Sequence, residues 1–325
     1  MKETQKLVVL IPAFNEEKTI AAVINAIPRK IQGIEKTLVL IVDDGSTDKT
    51  VQKAKNAGAD KIVSHKGNKG LGMAFQTGLD TALKMGAGII VNIDADGQFN
   101  PKDIPKLVKP ILQGKADVVT CSRFLDKKLE PKMPSVKRFG NRLFTKIINL
   151  FTGSSFTDTQ CGFRAYSREA ALRTNLFARF TYTQEVLMDL SQKGMRIEEV
   201  ACKVEGERKG KSRVVKHWYI YGIRAMMIII RTLRDYKPLQ FFGSIGILMA
   251  GFGVIQAFYL WMESQFPQNP AVPAWLVNLD VLLIVVGLLL LVLALLADLI
   301  DRQKRIQEEI LYRIKRKETE KNDIS

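Results

Sequence analysis

Two aspartates with one residue between them follow a strongly apolar run in the segment GIIVNIDADGQ. They are Asp94 and Asp96, and Gln98 adds an amide oxygen two residues further on. Carboxylate and amide oxygens are the ligands that Mg2+ and Mn2+ prefer in proteins. A divalent cation can neutralise a bound diphosphate, so this spacing indicates a metal site for a phosphorylated compound. Aspartate and glycine are also frequent in ordinary turns, so the segment needs support from its surroundings.

A second acidic cluster, VDDGSTD, follows another apolar run and contains Asp43 and Asp44. An exposed carboxylate at a strand end can accept hydrogen bonds from a base N–H or a ribose hydroxyl. Asp48 is predicted to cap the helix that follows. Further on, KGNKGLGMA resembles a dinucleotide-binding loop, but Phe75 stands where that fingerprint needs a third glycine. The sequence therefore excludes NAD and favours a plain glycine turn.

Basic residues are concentrated in residues 127–142 and in the loop ERKGKSR, residues 207–213. A phosphate monoester has a second pKa of about 6, so at neutral pH it is already a nucleophilic dianion that needs no strong general base. A site that joins two phosphorylated compounds must instead neutralise both, with a metal at one and arginines at the other. For most single lysines here, solvated surface charge is the simpler interpretation.

Short β-branched runs alternate with amphipathic segments up to residue 122, which predicts βαβ units on a mostly parallel sheet. Ligands bind such sheets at the carboxyl ends of the strands, where the polar clusters fall. The predicted strands cover residues 7–11, 37–42, 61–65, 88–94 and 116–122. The predicted helices begin near Glu16, Asp48, Gly70 and Pro101, with Asn15, Asp48 and Asn100 as caps. A helix over residues 183–193 and a strand in RIEEVACKVEG follow.

The C-terminal third of the sequence contains long apolar runs that suit a membrane rather than water. Residues 239–262 and residues 281–297 carry no charge, which predicts two membrane spans. The loop between them has no Lys or Arg whereas both flanks are rich in them, so both ends are predicted to be cytoplasmic. Residues 214–238 are predicted to form an amphipathic helix in the membrane interface. The domains predicted are a catalytic domain (1–213), the interface helix (214–238), a transmembrane hairpin (239–300) and a basic cytoplasmic tail (301–325) that lies along the headgroups and frays.

The formal net charge of +16 requires an acidic partner. Aromatic residues do not interleave with the basic run, which argues against nucleic acid. The three cysteines are widely spaced and contain no CxxC pair, which fits a reducing cytosol. The N-terminal apolar run is too short for a signal peptide. We therefore expect an integral protein of the cell membrane with its catalytic domain in the cytoplasm.

The motifs IPAFNEE, VDDGSTD, GNKGLGMA, DADGQ, SRF and DTQCGFRA occur in this order. The ordered set resembles glycosyltransferase family 2, and within it the polyprenyl-phosphate sugar synthases of the dolichyl-phosphate mannose or glucose synthase type. The resemblance covers roughly residues 6–215, and the two C-terminal spans match family members anchored in this way. It implies a GT-A-like fold, an inverting mechanism, and a Mg2+ or Mn2+ cofactor.

The resemblance also implies roles for individual residues. The nucleotide sugar would be held by Pro12, Phe14, Glu16, Asp43, Asp44, Asp94, Ala95, Asp96 and Arg123. The metal would be held by Asp96 and Gln98, and the acceptor phosphate by Lys137, Arg138, Asn141 and Arg208. The catalytic set would be Asp94, Asp96, Arg123 and Arg208. Phe14 replaces a frequent tyrosine and Asn141 a frequent serine, and in the 205–213 loop Arg208 is chosen over Lys209 and Arg213.

The implied reaction moves one hexose from GDP-mannose, UDP-glucose or UDP-GlcNAc to a dolichyl or undecaprenyl monophosphate at the cytoplasmic face. The sequence leaves the donor, the lipid and any homo-oligomer open. One alternative is a family 2 enzyme acting on another membrane lipid or glycan. A processive polysaccharide synthase would need a QxxRW-type motif and more spans. A non-enzymatic basic membrane adaptor would explain the charge and the spans, but not the acidic clusters.

Overall fold

The computed structural model describes residues 5–131, 135–176, 182–204, 238–265 and 273–324. The chain divides into two compact units. One comprises residues 1–213 and 311–325, and the other comprises residues 214–310. Residues 214–237 of the predicted interface helix (214–238) and the predicted phosphate-binding loop with Arg208 lie outside the described residues. The predicted domain boundaries stay a prediction.

Seven strands form one sheet in the order β3-β2-β1-β4-β6-β5-β7. They are β1 (Gln5–Ala13), β2 (Ile34–Asp43), β3 (Lys61–Ser64), β4 (Ile89–Asn92), β5 (Val118–Ser122), β6 (Arg164–Ser167) and β7 (Ile197–Ala201). Every pairing is parallel except those of β6, which runs antiparallel to both β4 and β5. The mostly parallel sheet predicted from the sequence is therefore confirmed.

Seven α-helices of the first unit are described. They are α1 (Ile20–Ala26), α2 (Thr50–Asn56), α3 (Leu71–Lys84), α4 (Ile104–Leu112), α5 (Ser135–Thr152), α6 (Arg168–Arg173) and α7 (Tyr182–Gln192). Side chains alternate along β1, so Val9 faces one apolar layer and Val8 the other. Helices α1, α2 and α4 cover the first layer, and α3, α6 and α7 cover the second.

Strand β6 was not predicted, because its four residues include a charged arginine and show no clear period. Arg164 is fully buried, and its guanidinium donates to Thr120 Oγ1 at 3.1 Å and to the carbonyl oxygens of Thr159 and Thr183. A buried cation is tolerated only when its donors are satisfied. Only the folded chain supplies these acceptors, so the sequence pattern could not place this residue inside.

Two predicted helix caps are wrong. Helix α1 begins at Ile20 rather than near Glu16, and Asn15 instead adopts a left-handed conformation with φ of 56°. Helix α2 begins at Thr50, and its formal cap is Lys49 rather than the predicted Asp48. Asn100 behaves as predicted, since its side chain accepts from the N–H of Lys102 at the start of a short helix.

The other unit contains α8 (Pro238–Ser264) and the start of α9 (Ala274–Ile324). Both helices are long and apolar enough to cross a membrane. A Cβ added at Gly287 of α9 would lie 2.6 Å from the backbone nitrogen of Ala250 in α8. Such close backbone approach through small residues is a packing mode of membrane helices.

The C-terminal residues differ from the expectation of a short helix that frays. Helix α9 continues to Ile324, and residues 311–325 belong to the first compact unit, together with residues 1–213. Tyr312 is 7% exposed and lies in the second apolar layer. The basic character of the tail had suggested headgroup contact, whereas burial of Tyr312 contributes apolar contacts that a charge count does not reveal.

Candidate active site

The carboxyl ends of β1, β2 and β3 lie side by side, because Ala13 pairs with Asp43 and Asp43 pairs with Ser64. Strand β4 adjoins β1 on its other side, with Asn92 opposite Leu10. The structure therefore brings the polar clusters after β1, β2 and β4 to one edge of the sheet. The residues predicted to meet the nucleotide sugar there are the buried Pro12, Asp43, Asp44 and Ala95 and the half-buried Phe14, Glu16, Asp94 and Asp96.

Hydrogen bonds between backbone N–H groups and side-chain oxygens connect the loop after β1 with the loop after β2. The N–H of Asn15 donates to Ser46 Oγ at 2.9 Å, and Asn15 Oδ1 accepts from the N–H of Thr47 at 2.9 Å. The N–H of Glu16 donates to Thr50 Oγ1 at 2.8 Å. The left-handed conformation of Asn15 is thus fixed by the neighbouring loop, which orients the residues on either side of it.

The Asp48 carboxylate strengthens the same connection. It accepts from the N–H of Thr50 at 3.0 Å and, through its other oxygen, from the N–H of Glu17 at 3.2 Å. Burial favours the neutral acid, but the hydrogen bonds from Thr50 outweigh it and lower the pKa of Asp48. Asp48 therefore joins the two loops and accepts from the first N–H of α2, although the formal cap of that helix is Lys49.

Asp44 is almost completely buried and holds the loop after β3. Its carboxylate accepts from the N–H groups of Lys69 at 2.9 Å and Gly70 at 2.8 Å, and it contacts His65 Nδ1 at 2.8 Å. The other ring nitrogen of His65 lies 3.0 Å from Thr77 Oγ1 on α3. His65 was not predicted, although its position directly after β3 was a signal that could have found it.

The glycine-rich loop approaches the β2 loop very closely. A Cβ at Gly45, whose φ is 78°, would lie 2.7 Å from the backbone of Gly67. No side chain fits there, so both the backbone conformation and the space require glycine. The glycines of this region therefore pack one loop against another, which agrees with the turn predicted from the sequence.

The DADGQ segment turns immediately beyond β4. Asp96 Oδ1 accepts from the N–H of Gln98 at 3.0 Å, which shapes the turn. Within the described residues, no group of three or more His, Cys, Asp and Glu side chains is placed to hold a metal ion. The half-buried carboxylates of Asp94 and Asp96 with Gln98 nevertheless form a hard oxygen donor set. Mg2+ is commonly bound by one or two carboxylates, substrate phosphates and water, so these residues fit a cation that arrives with a diphosphate.

Arg123, directly after β5, is held by a carboxylate to which the sequence had assigned no role. Its Nε and Nη2 donate to Asp158 at 2.6 and 3.0 Å, and its backbone N–H donates to the same carboxylate at 3.2 Å. The Asp158 side chain is fully buried, whereas 21% of the Arg123 side chain is exposed. Burial disfavours the guanidinium charge, but Asp158 outweighs it and raises the pKa of Arg123.

Glu199 of β7 holds the segment that carries Asp158. Its carboxylate accepts from the N–H groups of Thr157 at 2.8 Å and Asp158 at 3.0 Å, and from Thr157 Oγ1 at 2.9 Å. Burial raises the pKa of Glu199. A chain of contacts thus runs from Glu199 through Asp158 to Arg123, and it was invisible in the sequence because its members are about 35 to 42 residues apart.

The predicted acceptor residues lie on α5. Arg138 Nη2 forms an ion pair with Glu130 Oε1 at 2.8 Å, and 40% of the Arg138 side chain is exposed. Asn141 is buried, and its Oδ1 has no hydrogen-bond partner in the described part of the chain. Lys137 belongs to α5, but its side chain lies outside the part of the chain that the structure describes, as does the whole of Arg208. The structure therefore places Lys137, Arg138 and Asn141 on one helix.

Comparison with known proteins identifies the family. Residues 8–173 match the family described as Glycosyl transferase family 2. The chain is 36% identical over 213 residues to the UDP-N-acetylglucosamine–dolichyl-phosphate N-acetylglucosaminyltransferase of Methanococcus voltae, covering 60% of this chain and 83% of that protein. It is 24% identical over 314 residues to the dodecaprenyl-phosphate galacturonate synthase of Rhizobium johnstonii, covering 92% of this chain and 89% of that one.

A solved structure supports the same assignment. Glucosyl-3-phosphoglycerate synthase from Mycobacterium tuberculosis, in complex with Mn2+, UDP and glucosyl-3-phosphoglycerate, superposes with a TM-score of 0.55 at 25% identity. The match covers 70% of this chain and 79% of that chain. The expected GT-A-like architecture is confirmed. With its match to the family over half of its length, this chain is a glycosyltransferase and belongs to glycosyl transferase family 2.

Proposed function

We propose that the protein transfers a single hexose from a nucleotide-diphosphate sugar to a polyprenyl monophosphate at the cytoplasmic face of a membrane, with inversion at the anomeric carbon. The observation that carries this proposal is the exposed face of α5, the helix of Arg138. Its exposed residues fall on one face and mix large apolar side chains with cations: Phe139, Arg142, Leu143, Lys146 and Leu150.

The composition of this face suits the boundary between headgroups and acyl chains. Phe139 is 69% exposed and Leu150 is 77% exposed, while Arg142 and Lys146 lie between them on the same face. Apolar side chains enter such a boundary and the interleaved cations attract anionic headgroups. Arg138 on the same helix would then lie at the depth of a lipid phosphate. A soluble acceptor would not require an arginine at the membrane surface.

The donor half of the site supplies the leaving-group chemistry. The loops after β1 and β2 would hold the nucleoside, with Phe14 against the base and Glu16, Asp43 and Asp44 around it. Asp94, Ala95, Asp96 and Gln98 would face the sugar and the diphosphate, with Asp96 and Gln98 holding a divalent cation. When bound, that cation would neutralise the departing diphosphate.

The acceptor half supplies the nucleophile. A dianionic phosphate oxygen attacks the anomeric carbon from the side opposite the diphosphate, the carbon–oxygen bond to the diphosphate breaks, and the bonding electrons leave with the nucleoside diphosphate. The products are a sugar-phosphate-lipid and the nucleoside diphosphate, and no proton must be removed. Arg123, oriented by Asp158, would contact phosphate, and Arg138 with Lys137, Asn141 and Arg208 would hold the acceptor.

The reaction is tested with membranes that contain the protein, a panel of radiolabelled UDP and GDP sugars, and polyprenyl phosphate. We expect one donor to give a glycolipid that mild acid cleaves, in a reaction that EDTA stops. The relatives named above act with different sugars, so the panel must include mannose, glucose and N-acetylhexosamine donors. Labelling of a water-soluble acceptor instead of a lipid would contradict the proposal.

Membrane orientation is tested separately. A cysteine placed at position 269, in the loop between the two apolar helices, should react with an impermeant thiol reagent added outside. Cys121, Cys161 and Cys202 are buried and provide a low background. Reaction at position 269 only after permeabilisation would contradict a cytoplasmic catalytic domain.

A further inference from the structure

The last part of α9, residues 311–324, makes specific contacts with α3 and α6 that the proposed chemistry does not use. Tyr312 donates its hydroxyl to Glu169 Oε2 at 3.0 Å, and the guanidinium of Arg173 lies 4.2 Å from the centre of its ring. Glu169 also accepts from Arg173 Nε at 2.6 Å, so the three side chains form one cluster. Residues 311–325 belong to the same compact unit as α3 and α6.

A second cluster lies on α3. Lys315 Nζ forms an ion pair with Asp80 Oδ1 at 2.9 Å, and the same oxygen accepts from Gln76 Nε2 at 3.0 Å. Gln76 in turn accepts from the N–H of Leu176 through its Oε1 at 2.9 Å. Only 16% of the Lys315 side chain is exposed, which is low for a lysine. The C-terminal residues therefore reach a network that joins α3 to the segment after α6.

Helix α3 is also the element that supports the loop beside the predicted nucleoside site. Thr77, one turn before Asp80, contacts His65, and His65 contacts the Asp44 carboxylate. Asp44 holds the first residues before α3 through the N–H groups of Lys69 and Gly70. A displacement of α3 along or about its axis would consequently move Thr77, His65 and the loop together.

We propose that Tyr312 and Lys315 are positioning residues for the donor site. Lys315 holds α3 directly, and Tyr312 holds α6, which shares the second apolar layer with α3. Together they keep His65 and the 66–70 loop in the arrangement that holds the Asp44 carboxylate in place. This inference rests on the proposed function in one respect, because it takes the 66–70 loop to border the bound nucleotide sugar. It assigns to the chain's last residues a part in donor recognition, in addition to any contribution to stability.

The test compares full-length variants. Lys315→Glu places a like charge beside Asp80, while the double variant Asp80→Lys with Lys315→Asp restores an opposite pair. Lys317→Ala is the matched control, because Lys317 is exposed and lies two residues beyond Lys315 on the same helix. We expect Lys315→Glu to raise the KM for the nucleotide sugar about two- to tenfold, with the KM for polyprenyl phosphate and the control unchanged. The double variant should return the donor KM to within about twofold.

A second readout does not depend on turnover. Amide hydrogen exchange of residues 66–70 should be faster in Lys315→Glu and in Tyr312→Ala than in Lys317→Ala, and the double variant should restore it. If no nucleotide sugar is turned over by the unaltered protein, the proposed function fails while this exchange test still decides the inference. Unchanged exchange in both variants, or a change in acceptor KM with donor KM intact, would overturn it.

Discussion

The two halves of the site hold their charged groups in opposite ways. On the side proposed to bind the nucleoside, the Asp44 carboxylate is fixed mainly by backbone N–H groups of the 66–70 loop. On the side proposed to bind phosphate, Arg123 and Arg138 form ion pairs with carboxylates of the chain itself, Asp158 and Glu130. Amide donors carry no net charge and stay in place whatever binds, whereas an ion pair can exchange one anion for another.

Arg123 and Arg138 differ in how deeply their carboxylate partners are buried. Asp158 is fully buried, accepts three hydrogen bonds from Arg123, and is itself oriented by Glu199. Glu130 faces an arginine of which 40% is exposed. Breaking a fully buried pair leaves an uncompensated charge, whereas the pair of Arg138 with Glu130, exposed at 40% and 20%, costs less to separate. We therefore infer a fixed arginine at Asp158 and an exchangeable one at Glu130, where a lipid phosphate can replace the carboxylate.

Replacing Asp96 should have the largest effect on turnover. Asp96→Ala removes a carboxylate predicted to hold the cation on the diphosphate, so kcat/KM should fall about 100-fold or more. Thermal unfolding should be nearly unchanged, because Asp96 is only half-buried and its loop keeps other contacts. The assay is glycolipid formation across a Mn2+ titration. Asp126→Ala, on an exposed loop, is the control, and full activity of Asp96→Ala in EDTA would reject the metal role.

Asp158→Asn should have the largest effect on stability. It keeps the shape but leaves the Arg123 guanidinium unpaired in a largely buried position, which should cost about 3 kcal/mol of unfolding free energy. The matched control is Asp117→Asn, which removes a similar two-armed pair with Arg196, whose side chain is 57% exposed. The control should cost less than about 1 kcal/mol. Equal losses in denaturant unfolding would remove the distinction between the fixed and the exchangeable pair.

Arg138 and Glu130 should change acceptor use in opposite directions. Arg138→Ala removes a charge-assisted contact and should raise the KM for polyprenyl phosphate about tenfold or more. Arg138→Lys should rescue only part of this, because an ammonium cannot form two parallel hydrogen bonds. Glu130→Gln frees the arginine and should lower the same KM about two- to fivefold. Donor binding measured without acceptor should stay constant, and a loss of donor affinity would move Arg138 to the diphosphate side.

Glu199 should produce the smallest effect, visible in the pH profile. Burial raises the pKa of Glu199, so its carboxylate is protonated at a higher pH than an ordinary glutamate. Protonation weakens its hold on Thr157 and Asp158, and activity should fall on the acid side about threefold to tenfold. A raised pKa means that the folded state binds this proton more strongly than the unfolded state, so the same protonation does not itself destabilise the fold.

Two glutamine variants isolate the Glu199 effect. In Glu199→Gln the acid-side fall assigned to this group should disappear, with activity already reduced at neutral pH. Glu198→Gln is the control on the adjacent residue of β7 and should keep the original profile. An unaltered acid limb in Glu199→Gln would show that another group controls it.

The sequence itself determined the class of sheet, six of its seven strands within a few residues, the two apolar helices and the motifs at the strand ends. These features are local, because strand and span patterns are written in consecutive residues and the motifs follow their strands directly. The family resemblance was confirmed for the same reason, since the ordered motifs lie within residues 8–173.

Tertiary structure alone decided which charged groups meet. Asp158 reaches Arg123 across 35 residues, Glu199 reaches Asp158 across 41, and Lys315 reaches Asp80 across 235. It also placed Arg164 in an antiparallel strand, β6, which the sequence pattern did not predict. Asn15 joins two loops instead of capping a helix. The pairing of a charge depends on which distant backbone comes within 3 Å of it, and that distance is fixed only when the apolar layers on both faces of the sheet have packed.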